Sequence, residues 1–132
     1  MLAASLAYRA ASDDDGATAS GECAAAGVER PLPAEFPRSF PLPAGARPTE
    51  AAVSAAGSVF VRAYVPMSAP EAVVFFRDQP RARGWTVAPA REVEGAGVTA
   101  GVRRPGVSGT WTVDEVPGCP ATTLLTVRLR RT

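Results

Sequence analysis

The chain has 132 residues, enough for one domain with a real core, and its 46% apolar content argues against wholesale disorder. Its formal net charge of +1 lacks the strong basic excess of a dedicated nucleic-acid binder. There is no His, so the usual general base near neutral pH and the Ser-His-Asp and Cys-His arrangements are missing.

Lys, Asn and Ile are absent too, and all 14 basic residues are Arg. Codon usage in a high-GC genome explains this bias, so the Arg richness is not read as phosphate recognition. Without Asn there is no N-glycosylation acceptor. The two cysteines, Cys23 and Cys119, stand far apart and do not give the paired spacing of a zinc finger. No cofactor and no metal are expected.

The chain opens on the apolar stretch "MLAASLAY". A membrane-spanning helix needs about 20 apolar residues, and no basic region precedes this run as in a signal peptide. Two readings stand: a frayed apolar terminus, or the remnant of a longer signal or anchor helix. The second is adopted, because "RAASDDDGATASGE" follows it with the composition of a flexible linker. Asp13, Asp14 and Asp15 are consecutive, unlike the alternating ligands of an EF-hand loop, and read as solvated linker. Residues 1–22 are therefore assigned to anchor remnant and linker.

Residues 23–48 form a Pro-rich arm, with prolines at 31, 33, 37, 41, 43 and 48. Such density forbids helix and predicts extended or polyproline II backbone. The dense run lacks the PxxP spacing of a free partner ligand. The arm is expected to dock on the domain through Phe36 and Phe40, assisted by Leu32 and Leu42, since exposed aromatics forgo much burial.

The α+β domain is assigned to residues 49–132. "TEAAVSAA" reads as a short strand closed by Gly57. "SVFVRAYVP" is a stronger one, with Val59, Val61, Ala63 and Val65 on one face and Phe60, Arg62 and Tyr64 on the other. "MSAPEAVVFFRDQPRARGW" is the one helix: Ser68 is its N-cap, Glu71 completes a capping box, and Pro70 falls in the first turn. Ala69, Ala72, Val73 and Phe76 make its apolar stripe. Pro80 predicts a kink or an early end near Gln79. Arg77 and Arg81 lie four apart on the outer face, a solvated surface or a hold for an anion.

Four more strands follow. "WTVAPAREV" starts at Trp85, "VTAGVRR" returns after "EGAG", and "TWTVDEV" follows the turn "PGVSG", with Trp111 and Val113 on one face. After "PGCPA", "TTLLTVRLR" puts Leu125, Val127 and Leu129 inward and Thr126, Arg128 and Arg130 outward. The expected order is β-β-α-β-β-β-β: a two-layer α+β domain, with one main helix against an antiparallel sheet of five to six strands.

"FPLPAGA", "VPMSAPEAVVFFRDQPRARGW" and "GTWTVDEVPGCP" together resemble small uncharacterised envelope or secreted proteins of high-GC actinobacteria, over roughly residues 36–127. The resemblance implies an extracytoplasmic domain, often behind an N-terminal membrane anchor. It implies no activity and no catalytic residue.

For function, Glu92 with Glu94 and Asp114 with Glu115 are the only paired carboxylates weighed. The first pair sits beside a turn and the second points to opposite faces, so no enzyme is expected. A binding module would place an apolar pocket between helix and sheet, lined by Trp85, Trp111, Phe75 and Tyr64, for a small apolar ligand or lipid. The reading adopted is a non-enzymatic extracytoplasmic interaction or structural domain of the cell envelope. Phe60, Arg62, Arg128 and Arg130 would face a partner protein there, provided their strands are neighbours. Cys23 and Cys119 read best as a disulfide, closing a loop of about 100 residues and worth about 4–5 kcal/mol in the chain-entropy model. Such a bond belongs to an oxidising compartment. Two buried thiols are the alternative. A catalytic thiol has no His to activate it.

Overall fold

Apolar residues at every second position commit the segment after Gly57 to a half-buried strand, and the burial follows that alternation. The computed structural model describes Cys23 and residues 28–95 and 97–132. Its elements are β1 (Arg47–Val53), β2 (Val59–Val65), α1 (Ala69–Ala82), β3 (Thr86–Val87), β4 (Arg91–Val93), β5 (Gly97–Arg104), β6 (Val107–Val116) and β7 (Cys119–Arg131). In β2, Val59, Val61, Ala63 and Val65 are buried and the residues between them half-buried. The anchor, the linker and the Asp13–Asp15 run lie outside the described residues.

All seven strands join one antiparallel sheet in the order β1-β2-β7-β6-β5-β3, with β4 also paired to β5. The last strand of the chain thus lies in the middle. It pairs with β2 from Val59↔Leu129 to Val65↔Thr123 and with β6 on its other side. Helix α1 carries the chain from β2 to the far edge of the sheet and covers one face, giving the α+β class expected.

Several boundaries differ from the sequence reading, each for a physical reason. "WTVAPAREV" is not one strand. β3 and β4 both run beside β5, and the register shifts by one residue between Val87↔Val102 and Arg91↔Thr99. Pro89 sits in that interruption, and an edge-strand bulge is where a sheet tolerates a residue without an N–H. The sheet also begins earlier than residue 49: Pro48 belongs to edge strand β1, beside a second register shift. The turns "PGVSG" and "PGCPA" shrink to Pro105-Gly106 and Pro117-Gly118, so Val107, Ser108 and Cys119 are already strand.

Helix α1 starts as its sequence dictates. Ser68 accepts from the Glu71 N–H, and Glu71 accepts from the Ser68 N–H at 2.9 Å, a complete capping box. The backbone hydrogen bond from Ser68, with its side-chain hydroxyl second, holds the Glu71 carboxyl below its ordinary value. Pro80 does not stop the helix, which continues to Ala82. It falls in the last turn, where it removes a single backbone bond, and its ring is buried in the core. Gly84 makes the stop, at φ 89°, with its N–H donated to Arg81.

The Pro-rich arm docks as expected but not in polyproline II form. Three tight turns begin at prolines: Phe36 N–H donates to Pro33 O (3.0 Å), Phe40 to Pro37 (3.1 Å) and Ala46 to Pro43 (3.2 Å). Proline tolerates these turns because it supplies only the carbonyl. Phe36 and Phe40 are 5% and 3% exposed. Phe40 stacks on Phe76 of α1 at 6.2 Å and meets Trp85 edge-on at 5.4 Å, while Trp111 of β6 lies 6.0 Å from Phe76. One aromatic cluster therefore joins arm, helix and sheet. Leu42 packs against it, but Leu32 is exposed and gives no help.

Cys23 and Cys119 form a disulfide across 96 residues, with Cα atoms 5.8 Å apart. That separation is ordinary for a disulfide. The bond ties the chain before the arm to the first residue of β7.

Two predictions follow from this packing. Phe40→Ala should lower unfolding free energy by about 3–5 kcal/mol, the usual cost of removing a buried aromatic ring; urea titration would show it, and a loss below 1 kcal/mol would mean the arm is dispensable. Cys23→Ser with Cys119→Ser should cost about 2–5 kcal/mol, with a core that still folds. Comparing denaturation midpoints with and without reductant checks this, since the double variant should be indifferent to reductant.

Candidate functional site

The face of the sheet opposite α1 is covered by no element among the described residues. Strand parity decides which side chains stand on it, and register decides which of them meet. Phe60 pairs with Arg128, Arg62 with Thr126 and Tyr64 with Leu124, because β2 and β7 are neighbours. Across the next boundary Arg128 pairs with Thr110, Arg130 with Ser108 and Leu124 with Asp114. One strand further, Arg103 pairs with Ser108 and Gly101 with Thr110.

The condition attached to Phe60, Arg62, Arg128 and Arg130 is thus met: they share one open face. Phe60 lies at the centre of a small charged cluster. The Arg128 guanidinium sits 4.7 Å from its ring centroid and that of Arg62 5.5 Å. Such cation–π contacts contribute about 0.5–1 kcal/mol at exposed sites and hold planar cations in place. Arg62 also donates to Glu50 on β1 at 3.3 Å. A hollow of about 640 Å³ opens beside the cluster, lined among others by Ala52, Ser58, Phe60, Thr110, Arg128 and Arg130.

The residues that a binding module would use to line a pocket between helix and sheet are packed instead. Trp85 and Trp111 are 3% and 0% exposed, and Phe76 and Phe40 fill the space around them. Trp85 donates its indole N–H to Ser39 O at 3.1 Å, so it fastens the arm rather than lining a pocket. Tyr64 stands on the opposite face of the sheet from Trp111, because strand parity separates it from Ala63 and Val65. Phe75 packs edge-on against Phe76 at 4.9 Å.

The remaining candidates do not assemble. Arg77 is paired with its neighbour Asp78 at 2.8 Å, and Arg81 donates to Val87 O at 3.0 Å, so they do not act jointly on an anion. Glu92 is exposed on β4, and Glu94 lies beyond the end of that strand. Among the described residues, no group of three or more His, Cys, Asp or Glu is placed to hold a metal. No helix among them is long and apolar enough to cross a membrane.

Asp114 is the one carboxyl whose titration bears on this face. Burial pushes its pKa above the ordinary Asp value, and the charge of Arg62 opposes that shift. Arg103, Ser108 and Gly101 were not recognised as face residues from sequence. Their alternation was visible, but their place beside Arg130 depends on a register that the sequence does not display. Comparison with protein-family models, with curated proteins and with solved structures gives no match in any of the three.

The Asp114 shift has a definite sign. A carboxyl with a raised folded-state pKa binds its proton more tightly when folded, so stability falls as pH rises through that value. Asp114→Asn should therefore raise the thermal midpoint at pH 7 and change it little near pH 3, below the ordinary carboxylate range of about 4. Thermal scans at the two pH values decide it, and a lower midpoint at pH 7 would show that the Arg62 attraction prevails.

Proposed function

We propose that this chain is a non-enzymatic interaction domain of the cell envelope, working outside the cytoplasm through the open face of its sheet. The observation that carries the reading is Phe60 with the Arg62 and Arg128 guanidiniums over its ring, on a face that no described element covers. Aromatic and Arg side chains are the residues that most often anchor recognition surfaces. Here they are held in place before any partner arrives, which reduces the ordering cost of binding.

The extracytoplasmic setting is supported by the Cys23–Cys119 disulfide, since such bonds persist in oxidising compartments. The resemblance to actinobacterial envelope proteins points the same way. In this reading the segment before Cys23 tethers the domain to the membrane.

The test is site-specific crosslinking in the native envelope. A photo-reactive amino acid placed at Thr110, beside Arg128, should capture an envelope component. The same group at Val74, exposed on the outside of α1, should not. Phe60→Ala with Arg128→Ala should abolish capture from position 110 while the thermal midpoint changes little. Equal capture from both positions, or capture unaffected by the double substitution, would sink the proposal.

A further inference from the structure

The open face carries more positive charge than its own carboxylates neutralise. Arg47 and Arg62 there have acidic partners, at 3.8 and 3.3 Å. Arg103, Arg128 and Arg130 have no carboxylate within ion-pair distance among the described residues. All three stand on the same face. Arg103 and Arg130 flank Ser108 from opposite sides, and Arg128 lies two residues from Arg130 along β7.

The hollow beside Phe60 does not end at β6. A second hollow of about 280 Å³, lined by Thr86, Ala88, Gly101 and Arg103, adjoins it, and both are bounded by Ser108 and Gly109. Together they reach from Val53 on β1 to Thr86 on β3. Crossing the strand order from β1 to β3 at about 4.8 Å per strand gives a groove of about 24 Å. Gly101 keeps it continuous, since its position on the face carries no side chain.

We propose that this groove binds an extended polysaccharide bearing carboxylates. The inference rests on the open face being the working surface, and it names the occupant. Charge complementarity gives the sign: three unpaired guanidiniums present forked donors that match carboxylates two bonds at a time. The hydroxyls of Ser54, Ser58, Ser108 and Thr110 supply donors and acceptors for neutral sugar hydroxyls between the charges. The groove crosses the strands rather than following an edge, so a peptide gains no strand-addition bonds in it. Phe60 offers bases no free stacking platform, because guanidiniums already lie over its ring.

The test uses the full chain and defined polymers: polygalacturonate as the uronate probe, with dextran, poly-glutamate and polyphosphate beside it. Titration calorimetry at fixed salt should show polygalacturonate binding, no binding of dextran, and at least about tenfold weaker binding of the other two anions. Arg128→Ala with Arg130→Ala should weaken polygalacturonate by about tenfold or more. Gly101→Glu is the independent variant. A Cβ at Gly101 meets only ordinary contacts, 3.8 Å from Gly109 O and 3.9 Å from Ala88, so the fold should survive while the groove is blocked by a negative charge. Equal affinity for poly-glutamate or polyphosphate would overturn the proposal, as would binding that persists in Gly101→Glu with an unchanged thermal midpoint. If no polymer binds while Thr110 still captures a protein in the envelope, the polysaccharide is wrong and the surface assignment stands. If Thr110 captures nothing either, both fall.

Discussion

The pairing of β7 with β2 closes the structure, and nearly every other feature is fixed by it. These strands are separated by the helix and four other strands in sequence, yet they run in continuous register from Val59↔Leu129 to Val65↔Thr123. On the inner face this brings Leu125, Val127 and Leu129 under α1 beside the valines of β2. On the outer face it brings Arg128 against Phe60. A one-residue slip would exchange the two sets, burying guanidiniums and exposing the core. Strand β7 thus decides both the packing of the core and the make-up of the open face. Thr123, fully buried, reinforces the pairing by donating to Met67 O at 2.8 Å where β2 gives way to the helix.

The second constraint is how little helix the described residues lay on the sheet. The 14 residues of α1 do not cover a seven-stranded sheet alone. The Pro-rich arm makes up part of the difference on the inner face. Its successive turns set Phe36 and Phe40 on the same side, and Phe40 touches both α1 and Trp85. The Trp85 indole N–H reaches back to Ser39 O, so the junction is polar as well as apolar. The outer face has no such cover among the described residues, and Arg, Thr and Ser predominate on it, with Phe60, Tyr64 and Leu124 among them.

Local signals were legible in the sequence where the physics is local. The capping box at Ser68 and Glu71, the alternation of β2 and the inward row of β7 all follow from neighbouring residues, and all stand where they were read. Pro80 was misread because interior proline penalties ignore position; in a last turn only one bond is lost. The Pro-rich arm was misread because proline density predicts backbone angles but not whether the chain must bend to bring two phenylalanines to one core. The split of β3 from β4 escaped notice because alternation looks the same on both sides of a one-residue bulge. The grouping of Phe60, Arg62, Arg128 and Arg130 was legible only as a condition. Arg103 was missed although β5, β6 and β7 follow one another directly, because turns read as five residues rather than two hide the register that sets it opposite Ser108.

The disulfide gives the molecule an unusual covalent outline. The bond between Cys23 and Cys119 makes one closed ring of the arm, the helix and six of the strands, with the segment before Cys23 on one side of it and residues 120–132 as the C-terminal free end. The loops between the described elements, from the β1–β2 turn to Pro117-Gly118, lie inside that ring. A single cut there leaves two pieces still joined. The free end is almost all β7, hydrogen-bonded on both edges in the middle of the sheet, the position hardest to peel away. Nicking within the ring would thus leave the hollows of the open face in place.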